Sequence, residues 1–208
     1  MTSLIEPGLI RCTAVVMSHR LLEPFLEAAR SAYEECTPSE PPSCFAVLVG
    51  SVQGESAMVR RVELARSVRS TDEVAAAEFR ETIVPLFGAA YENIHRGFWC
   101  DSKDLLRIQR SAEADGWDII GSVHLHPDWH RIGPPAERGL RISERPTPMD
   151  CYMFGSTGWP VNMICYLKRG GGRLQHRLGA WGLPAGLQDT DCPPLDIRLG
   201  TGGQERAA

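Results

Sequence analysis

The sequence "WDIIGSVHLHP" (residues 117–127) is an apolar run that ends in two histidines and a proline. Its apolar character predicts a buried strand, and side chains two residues apart on a strand point to the same face. His124 and His126 are therefore expected side by side on one face of a sheet. Because proline cannot donate a ladder hydrogen bond, Pro127 places this pair at the end of the strand, where a ligand can enter.

Further apolar stretches predict the other strands of the sheet. The continuous run "CFAVLVGSV" (44–52) is typical of a buried strand, and a Gly-containing turn returns the chain through "AMVRRVELA" (57–65) in a hairpin. Later, "VNMICYLK" (161–168) and "LQHRLGAW" (174–181) are joined through "RGGG" and predict a second pair of strands. A loosely alternating stretch at 11–17 predicts one more short strand.

Helices are indicated between these strands by apolar residues at helical spacing. They are predicted at 18–35, beginning at a Ser18 cap; at 72–95, broken near Pro85 and Gly88; at 102–114, beginning at a serine cap; and from about 148. Strands and helices without a regular strand-helix-strand repeat predict an α+β fold, in which helices flank a mixed sheet.

The composition is that of an ordinary globular protein, with 43% apolar and 23% charged residues among 208. A net charge of −4 gives no general attraction to nucleic acid or to an anionic membrane, so neither is expected as a partner. The seven cysteines include no C-x-x-C pair, and several lie in apolar stretches, which favours reduced thiols and a cytoplasmic location. No apolar segment reaches the roughly 18 to 20 residues of a membrane span.

The segment "TPMD" supplies a third candidate ligand. It begins a predicted helix with Thr147 as the N-cap and Asp150 in the first turn. Two histidines, one carboxylate and a water would form a catalytic zinc site whose fourth position is open, so His124, His126 and Asp150 are the candidate metal ligands. The alternative is that Thr147 and Asp150 form only a capping box and that the histidines are surface polar residues.

Taken together, these segments resemble the JAMM (MPN-plus) metalloprotease family, whose signature is H-x-H-P, a spacer and S-x-x-D. The similarity covers about 18–35, 44–62 and 98–182. Beyond the signature, the matching stretches are the first helix, the strand "CFAVLVG", and "DSKDLLRIQRSAEADGWDIIGSVHLHP", "TGWPVNMICYL" and "RLGAW". The resemblance implies a JAMM/MPN-like fold, similar to that of cytidine deaminases, in a compact member of bacterial type.

The resemblance also implies roles for the site residues. His124, His126 and Asp150 would bind Zn²⁺, which would lower the pKa of a bound water toward neutrality and polarise the scissile carbonyl. Thr147 stands where the family usually has serine, and its hydroxyl could bond the oxyanion of the tetrahedral intermediate. The chain is thus expected to be a zinc metallohydrolase with Thr147 as a catalytic residue.

The residue that accepts the proton of the zinc-bound water departs from the family pattern. Counting back seven residues from Gly50, the strand-ending glycine, reaches Ser43 where the family has glutamate. Serine cannot serve as a base near neutral pH. Glu40, in the adjacent loop "TPSEPPS", is the first candidate to replace it, and Glu34 and Glu35 at the end of the first helix are the next, unless all three are solvated surface charges.

The spacer is a second departure, because Asp150 follows His126 by 24 positions, about twice the spacing usual in the family. The loop "DWHRIGPPAERGLRISER" is therefore an insertion at the mouth of the site, where long loops often select a substrate. We expect one domain over 1–183, followed by a loosely ordered tail at 184–208. Insertions in that domain are predicted at about 37–43, 72–97 and 127–146.

Three functions are compatible with these residues. The leading one is a zinc-dependent amide or isopeptide hydrolase that cleaves after the C-terminal Gly-Gly of a small ubiquitin-like or sulfur-carrier protein, bound along an exposed strand edge. The first alternative is a JAMM-type amidohydrolase with a small-molecule biosynthetic substrate. The second is a non-catalytic MPN scaffold, which the loss of the standard glutamate favours and the retention of both histidines and the aspartate disfavours. A homodimer is compatible with all three.

Overall fold

The computed structural model describes residues 12–37, 39–135, 138–139, 145–186 and 189–200. Seven strands of these residues form one mixed sheet. They are β1 (Ala14–Ser18), β2 (Phe45–Gln53), β3 (Ser56–Leu64), β4 (Asp118–Pro127), β5 (Val161–Gly170), β6 (Arg173–Trp181) and β7 (Asp196–Gly200). Their spatial order is β6-β5-β4-β2-β3-β1-β7. Helices flank this sheet, so the predicted α+β class is confirmed.

Six α-helices lie between the strands of the described residues. They are α1 (Glu23–Glu35), α2 (Glu73–Glu78), α3 (Val84–Phe87), α4 (Ser102–Ala114), α5 (Trp129–Ile132) and α6 (Pro148–Thr157). A five-residue π-helical stretch, Phe79–Ile83, joins α2 to α3, and Gly88 ends α3 with a positive φ of 101°. The predicted break near Pro85 and Gly88 thus corresponds to a real change in helix geometry.

β4 lies inside the sheet, antiparallel to β2 and parallel to β5. Both faces of this central region are covered, because alternate residues of β2 pack against different helices. Ala46 and Leu48 join the apolar cluster around α1, whereas Val47 and Val49 pack with Ile108 of α4. Burial on both faces explains why the β2 sequence is a continuous apolar run.

The same alternation decides which face of β4 carries the histidines. Val123 and Leu125 belong to the cluster on the α1 side. His124 is paired across the sheet with Phe45, which packs on the α4 side. His124 and His126 therefore share the α4 face, as the period of two predicts.

Asp128 anchors the chain directly after β4. Its carboxylate is fully buried, accepts a 2.6 Å hydrogen bond from the Tyr33 hydroxyl of α1, and accepts a 3.1 Å bond from the backbone N–H of Arg169. Burial and this bond to Asp128 together raise the pKa of Tyr33 to about 12, so its hydroxyl stays a donor at neutral pH. One side chain thus ties the end of β4 to α1 and to the end of β5.

Two helix starts differ from the prediction. A 3-10 turn, His19–Leu22, follows β1, and α1 begins at Glu23 without a cap from Ser18. α4 begins at Ser102, but its cap is Asp101, whose side chain accepts a backbone hydrogen bond from the first turn. Aspartate is at least as good a cap as serine, and its charge is favourable at a helix N-terminus.

The prediction of a loosely ordered tail at 184–208 is wrong for Asp196–Gly200, because these residues form β7, which pairs with β1 in parallel. The segment before β7 is also held, since the backbone N–H of Leu195 donates to Ala180 on β6 and Leu195 is buried. Without β7, the outer edge of β1 would present unpaired backbone groups. Residues 187–188 and 201–208 of the predicted tail lie outside the described residues.

The structure describes the second of the three predicted insertions in full and the other two in part. Residue 38 of the first and residues 136–137 and 140–144 of the third lie outside the described residues. The second, at 72–97, contains α2, the π-helical stretch and α3, and its buried side chains Phe79 and Ile83 pack with Met149 of α6. It therefore forms a wall beside α6. No helix of the described residues is long and apolar enough to cross a membrane.

Asp128→Ala is expected to lower the free energy of unfolding by about 3 kcal/mol, because the Tyr33 hydroxyl and the Arg169 N–H would lose their buried acceptor. Chemical denaturation of both proteins measures the change. Asp118→Ala, an exposed aspartate at the start of β4, is the matched control and should change stability by less than about 0.5 kcal/mol. Equal effects of the two substitutions would show that Asp128 is not an anchor.

Candidate metal centre

The two histidines of β4 and the aspartate of α6 converge on one point. The Nε2 atoms of His124 and His126 are 3.1 Å apart. His124 Nε2 lies 3.4 Å from Oδ1 of Asp150, and His126 Nε2 lies 3.4 Å from Oδ2 of the same carboxylate. These side chains form a group of potential metal ligands whose donor atoms all lie within 4.8 Å of one another.

Thr147 holds the carboxylate of Asp150 in this position. Both the backbone N–H and the hydroxyl of Thr147 donate 2.7 Å hydrogen bonds to Oδ2 of Asp150, and the backbone N–H of Asp150 donates back to the hydroxyl at 3.2 Å. This is a complete capping box at the start of α6. Capping and metal binding do not exclude each other for Asp150, because its carboxylate caps the helix and faces both imidazoles at once.

The directions of the pKa shifts of His124 and Asp150 suit a metal. Burial lowers the pKa of His124 below its usual value, although the facing Asp150 opposes this shift. Burial alone would raise the pKa of Asp150, but the imidazoles of His126 and His124 outweigh it and hold the pKa of that carboxyl well below its usual range. At neutral pH His124 is thus neutral and Asp150 is ionised, which are the forms that bind metal ions.

The spacing of the donor atoms also fits a metal ion. Tetrahedral zinc with ligand bonds of about 2.0 to 2.1 Å requires its donor atoms to be about 3.3 Å apart. The Nε2 atoms of His124 and His126 are 3.1 Å apart, and each lies 3.4 Å from a different oxygen of Asp150, which is close to this value. The group is therefore compact enough to hold a divalent ion.

The candidate centre lies in the wall of a cavity of about 660 Å³. His124, His126, Thr147 and Asp150 all line it. Much of the remaining wall is aromatic and comes from β2, from the chain between α3 and α4, and from α6 and the turn after it. These aromatic residues include Phe45, Tyr91, Phe98, Trp99, Tyr152 and Trp159.

Ser43 lies at the cavity, as the comparison with the family signature predicts for this position. Cys44 accepts a backbone hydrogen bond from Leu125, and Phe45 is paired with His124, so Ser43 falls beside His126 on the edge of the same face. It also lines the cavity. Ser43 therefore contributes a hydroxyl, and no carboxylate, to the wall of the cavity.

The three acids predicted to replace that base are placed elsewhere. Glu40 is exposed, and its backbone N–H binds the hydroxyl of Thr37. Glu34 forms an ion pair with Arg169, and Glu35 accepts a hydrogen bond from the Ser31 side chain. Since the described residues that line the cavity include none of the three, the structure does not bring any of them to the candidate centre.

Glu78 is a functional candidate that the sequence did not reveal. It is the last residue of α2, it is half-buried, and it lines the same cavity as Asp150. Among the described residues of the lining, it and Asp150 are the two carboxylates. Its Oε1 accepts a 3.2 Å hydrogen bond from the Tyr152 hydroxyl of α6. Nothing in the sequence distinguishes Glu78 from the other glutamates of this Ala- and Glu-rich segment.

The helix geometry around Glu78 is unusual. The π-helical stretch begins at the next residue, and single π turns within helices occur frequently at functional sites. Phe79 is buried beneath the Arg69 guanidinium, whose carbon lies 3.6 Å from the ring centroid, and beside Trp99. The burial of Phe79 fixes the rotation of the helix, and it thereby fixes the side on which Glu78 emerges.

Comparison with known proteins gives structural neighbours only. Neither a protein-family profile nor a curated protein matches the sequence. A solution structure from Desulfitobacterium hafniense has 16% identity and a TM-score of 0.48, with coverage of 89% of this chain and 92% of the other. A second, from Salinibacter ruber, has 19% identity and a TM-score of 0.47, with coverage of 89% and 90%. A function for this chain therefore has to be argued from its site.

Asp150→Asn is expected to reduce zinc affinity by at least about 100-fold, because the substitution removes the anionic ligand and keeps its size. Elemental mass spectrometry and equilibrium dialysis with Zn²⁺ measure the effect, and His124→Ala/His126→Ala should behave in the same way. Asp191→Asn, an exposed aspartate, is the control. If Asp150 only caps α6, Asp150→Asn will hold as much zinc as the wild type and the Asp191→Asn control.

Proposed function

We propose that this chain is a zinc-dependent amide hydrolase of the JAMM type. The observation that carries the proposal is the group of two imidazoles and one carboxylate, with donor atoms within 4.8 Å of one another, in the wall of a cavity that can hold a substrate. The H-x-H-P and T-x-x-D segments supply these ligands. A mixed sheet with the ligands at the end of a central strand is compatible with a JAMM/MPN-like fold, and seven free cysteines are compatible with a cytoplasmic enzyme.

The ion would be held by Nε2 of His124, Nε2 of His126 and the carboxylate of Asp150. Bound Zn²⁺ would supply a water of lowered pKa and a positive charge that polarises the substrate carbonyl. Thr147 positions the ligand, since both of its donors already bind Asp150. For the oxyanion role predicted from the resemblance, the Thr147 hydroxyl would have to turn away from that carboxylate.

Glu78 is the group that we expect to accept a proton from the attacking water. A general base must lie within hydrogen-bond reach of the water or be linked to it through one further water. Glu78 reaches the cavity that the ligands line, and the Tyr152 hydroxyl orients its carboxylate by donating to one oxygen. The second oxygen can accept the proton. The proposed base thus belongs to the 72–97 segment and not to the Ser43 position that the resemblance indicates.

An enzyme explains the centre better than a scaffold does. An ionised carboxylate that is only 6% exposed costs desolvation free energy, and a scaffold has no chemical use for it. The capping of α6 does not require two imidazoles against the same carboxylate. The buried group of His124, His126 and Asp150 therefore favours the hydrolase over the non-catalytic alternative.

Zinc-loaded protein is expected to hydrolyse at least one member of a panel that contains a ubiquitin-like protein with a Gly-Gly tail and a set of low-molecular-weight amides. Release of the amine measures the reaction. Removal of the ion by a chelator and the Asp150→Asn substitution should both abolish it. The absence of any hydrolysis by protein that holds one zinc per chain would contradict the proposal and favour the scaffold.

Glu78→Gln is expected to lower kcat by about 100-fold or more while zinc content stays unchanged, because the amide cannot accept the proton. Glu73→Gln, an exposed glutamate in the first turn of the same helix, is the matched control and should retain full activity. Full activity of Glu78→Gln would exclude it as the base. A loss of zinc in Glu78→Gln would show that the substitution disturbs the metal centre instead.

A further inference from the structure

The cavity beside the metal centre has flat aromatic surfaces on several sides. Phe98 stacks on Phe45 of β2, with ring centroids 4.0 Å apart and an angle of 13° between the planes. Tyr152 and Phe154 of α6 and Trp159 after that helix contribute further rings to the lining. Aromatic side chains bury a large area at low conformational cost and favour flat, apolar ligands.

The size of the cavity favours a small-molecule substrate over the Gly-Gly tail of a protein. Its volume of about 660 Å³ lies within the range of about 300 to 1,000 Å³ that is typical of small-molecule sites. A Gly-Gly tail has no side chains, and its recognition depends on backbone hydrogen bonds along a narrow path. Such a tail would leave the aromatic walls uncovered by any apolar group. The cavity therefore suits a compact apolar molecule better than an extended glycine tail.

Asn162 adds a polar contact to this apolar chamber. It is fully buried and lines the cavity, and its Nδ2 donates a 3.0 Å hydrogen bond to the backbone carbonyl of Trp159. That bond identifies Oδ1 as the other end of the amide, and within the described part of the chain Oδ1 has no hydrogen-bond partner. Since a buried acceptor without a donor is costly, this oxygen is suited to a donor on a ligand.

The position of Asn162 sets a distance from the metal ligands. It is paired with Ser122 across β4 and β5, and Ser122 precedes His124 by two residues on the same face of β4. Two residues of a strand span about 7 Å and neighbouring strands lie about 4.8 Å apart, so the backbones of Asn162 and His124 are separated by about 8 Å. A ring with a polar group at each end is of suitable length to bridge the metal centre and Asn162.

We propose that the cavity binds a low-molecular-weight aromatic amide, with its carbonyl at the metal centre, its ring against Phe98, and a hydrogen-bond donor at the far end of the ring directed to Asn162. The assignment of the amide rests on the proposed hydrolase function. The aromatic site and the donor contact rest on the cavity walls and on the unpartnered oxygen alone. The substrate is thus a small molecule and not the tail of a protein.

Fluorine NMR with two probes tests the assignment on zinc-loaded protein. The first probe is N-(3-fluoro-4-hydroxyphenyl)acetamide, whose phenol hydroxyl lies opposite the amide. The second is its methyl ether, which lacks that donor. Broadening of the fluorine signal measures binding, and a new signal from 4-amino-2-fluorophenol measures hydrolysis to that amine and acetate. Binding and turnover are therefore read separately in one sample.

The phenol is expected to bind with a Kd of about 1 mM or tighter, given its small number of atoms, and about fivefold more tightly than its methyl ether. Phe98→Ala should weaken both probes by about tenfold. Trp117→Ala, which truncates a half-buried aromatic residue that does not line the cavity in the described structure, should change neither. Asn162→Leu should remove the preference for the phenol, and a thermal melt checks its fold.

The outcomes distinguish this inference from the function on which it rests. Binding that depends on Phe98, without any 4-amino-2-fluorophenol, supports the aromatic site and argues against amide hydrolysis. Binding with product supports both. The absence of binding at about 10 mM of either probe, or an affinity that Phe98→Ala leaves unchanged, overturns the aromatic site. If Asn162→Leu does not fold, an equal affinity of the wild type for the two probes still overturns the donor contact.

Discussion

The burial of β4 between β2 and β5 is the constraint on which the candidate centre depends. A strand inside a sheet is hydrogen-bonded along both edges, so its register against its neighbours is fixed. A shift of one residue would move His124 and His126 to the α1 side, where Val123 and Leu125 now pack. Val123 and Leu125, which alternate with the histidines, therefore hold the two imidazoles on the face that carries the candidate centre.

The capping box of α6 is the second half of the same arrangement. A helix start needs acceptors for its first backbone N–H groups, and Thr147 and Asp150 meet that need within four residues. Because one carboxylate oxygen is held by Thr147, the carboxylate cannot rotate freely before an ion arrives. The same hydrogen bonds that cap α6 thus orient the carboxylate of a candidate metal ligand.

The parts of the structure that follow from local rules could be predicted from the sequence. The period of two placed the histidines on one face, and the T-x-x-D spacing placed Asp150 at a helix start. The positions of Glu40 and Glu78 relative to the cavity depend instead on how segments distant in the chain pack together. Proximity to Ser43 along the chain favoured Glu40, but Glu40 is exposed and does not line the cavity. Glu78 lines the cavity because the 72–97 segment packs against α6.

The C-terminal strand β7 is a second feature that local sequence patterns could not predict. The prolines, glycines and aspartates at 183–195 predict a loose tail, but β7 follows directly at Asp196–Gly200. Its pairing with β1 depends on a strand edge formed by residues far away in the sequence. A pattern within one segment cannot reveal a partner that lies far away in the sequence. The mixed sheet was therefore predictable as a class, while its outermost strand was not.

Much of the cavity wall comes from the 72–97 segment and the two residues after it, which bears on how related sequences can vary. The metal ligands come from β4 and α6, whereas Glu78, Tyr91, Phe98 and Trp99 come from one continuous stretch between β3 and α4. Replacement of that stretch as a unit would exchange much of the chamber and leave the ligands in place. The candidate ligands and much of the cavity wall thus lie on separate parts of the chain, so the wall can vary in sequence while the candidate centre is kept.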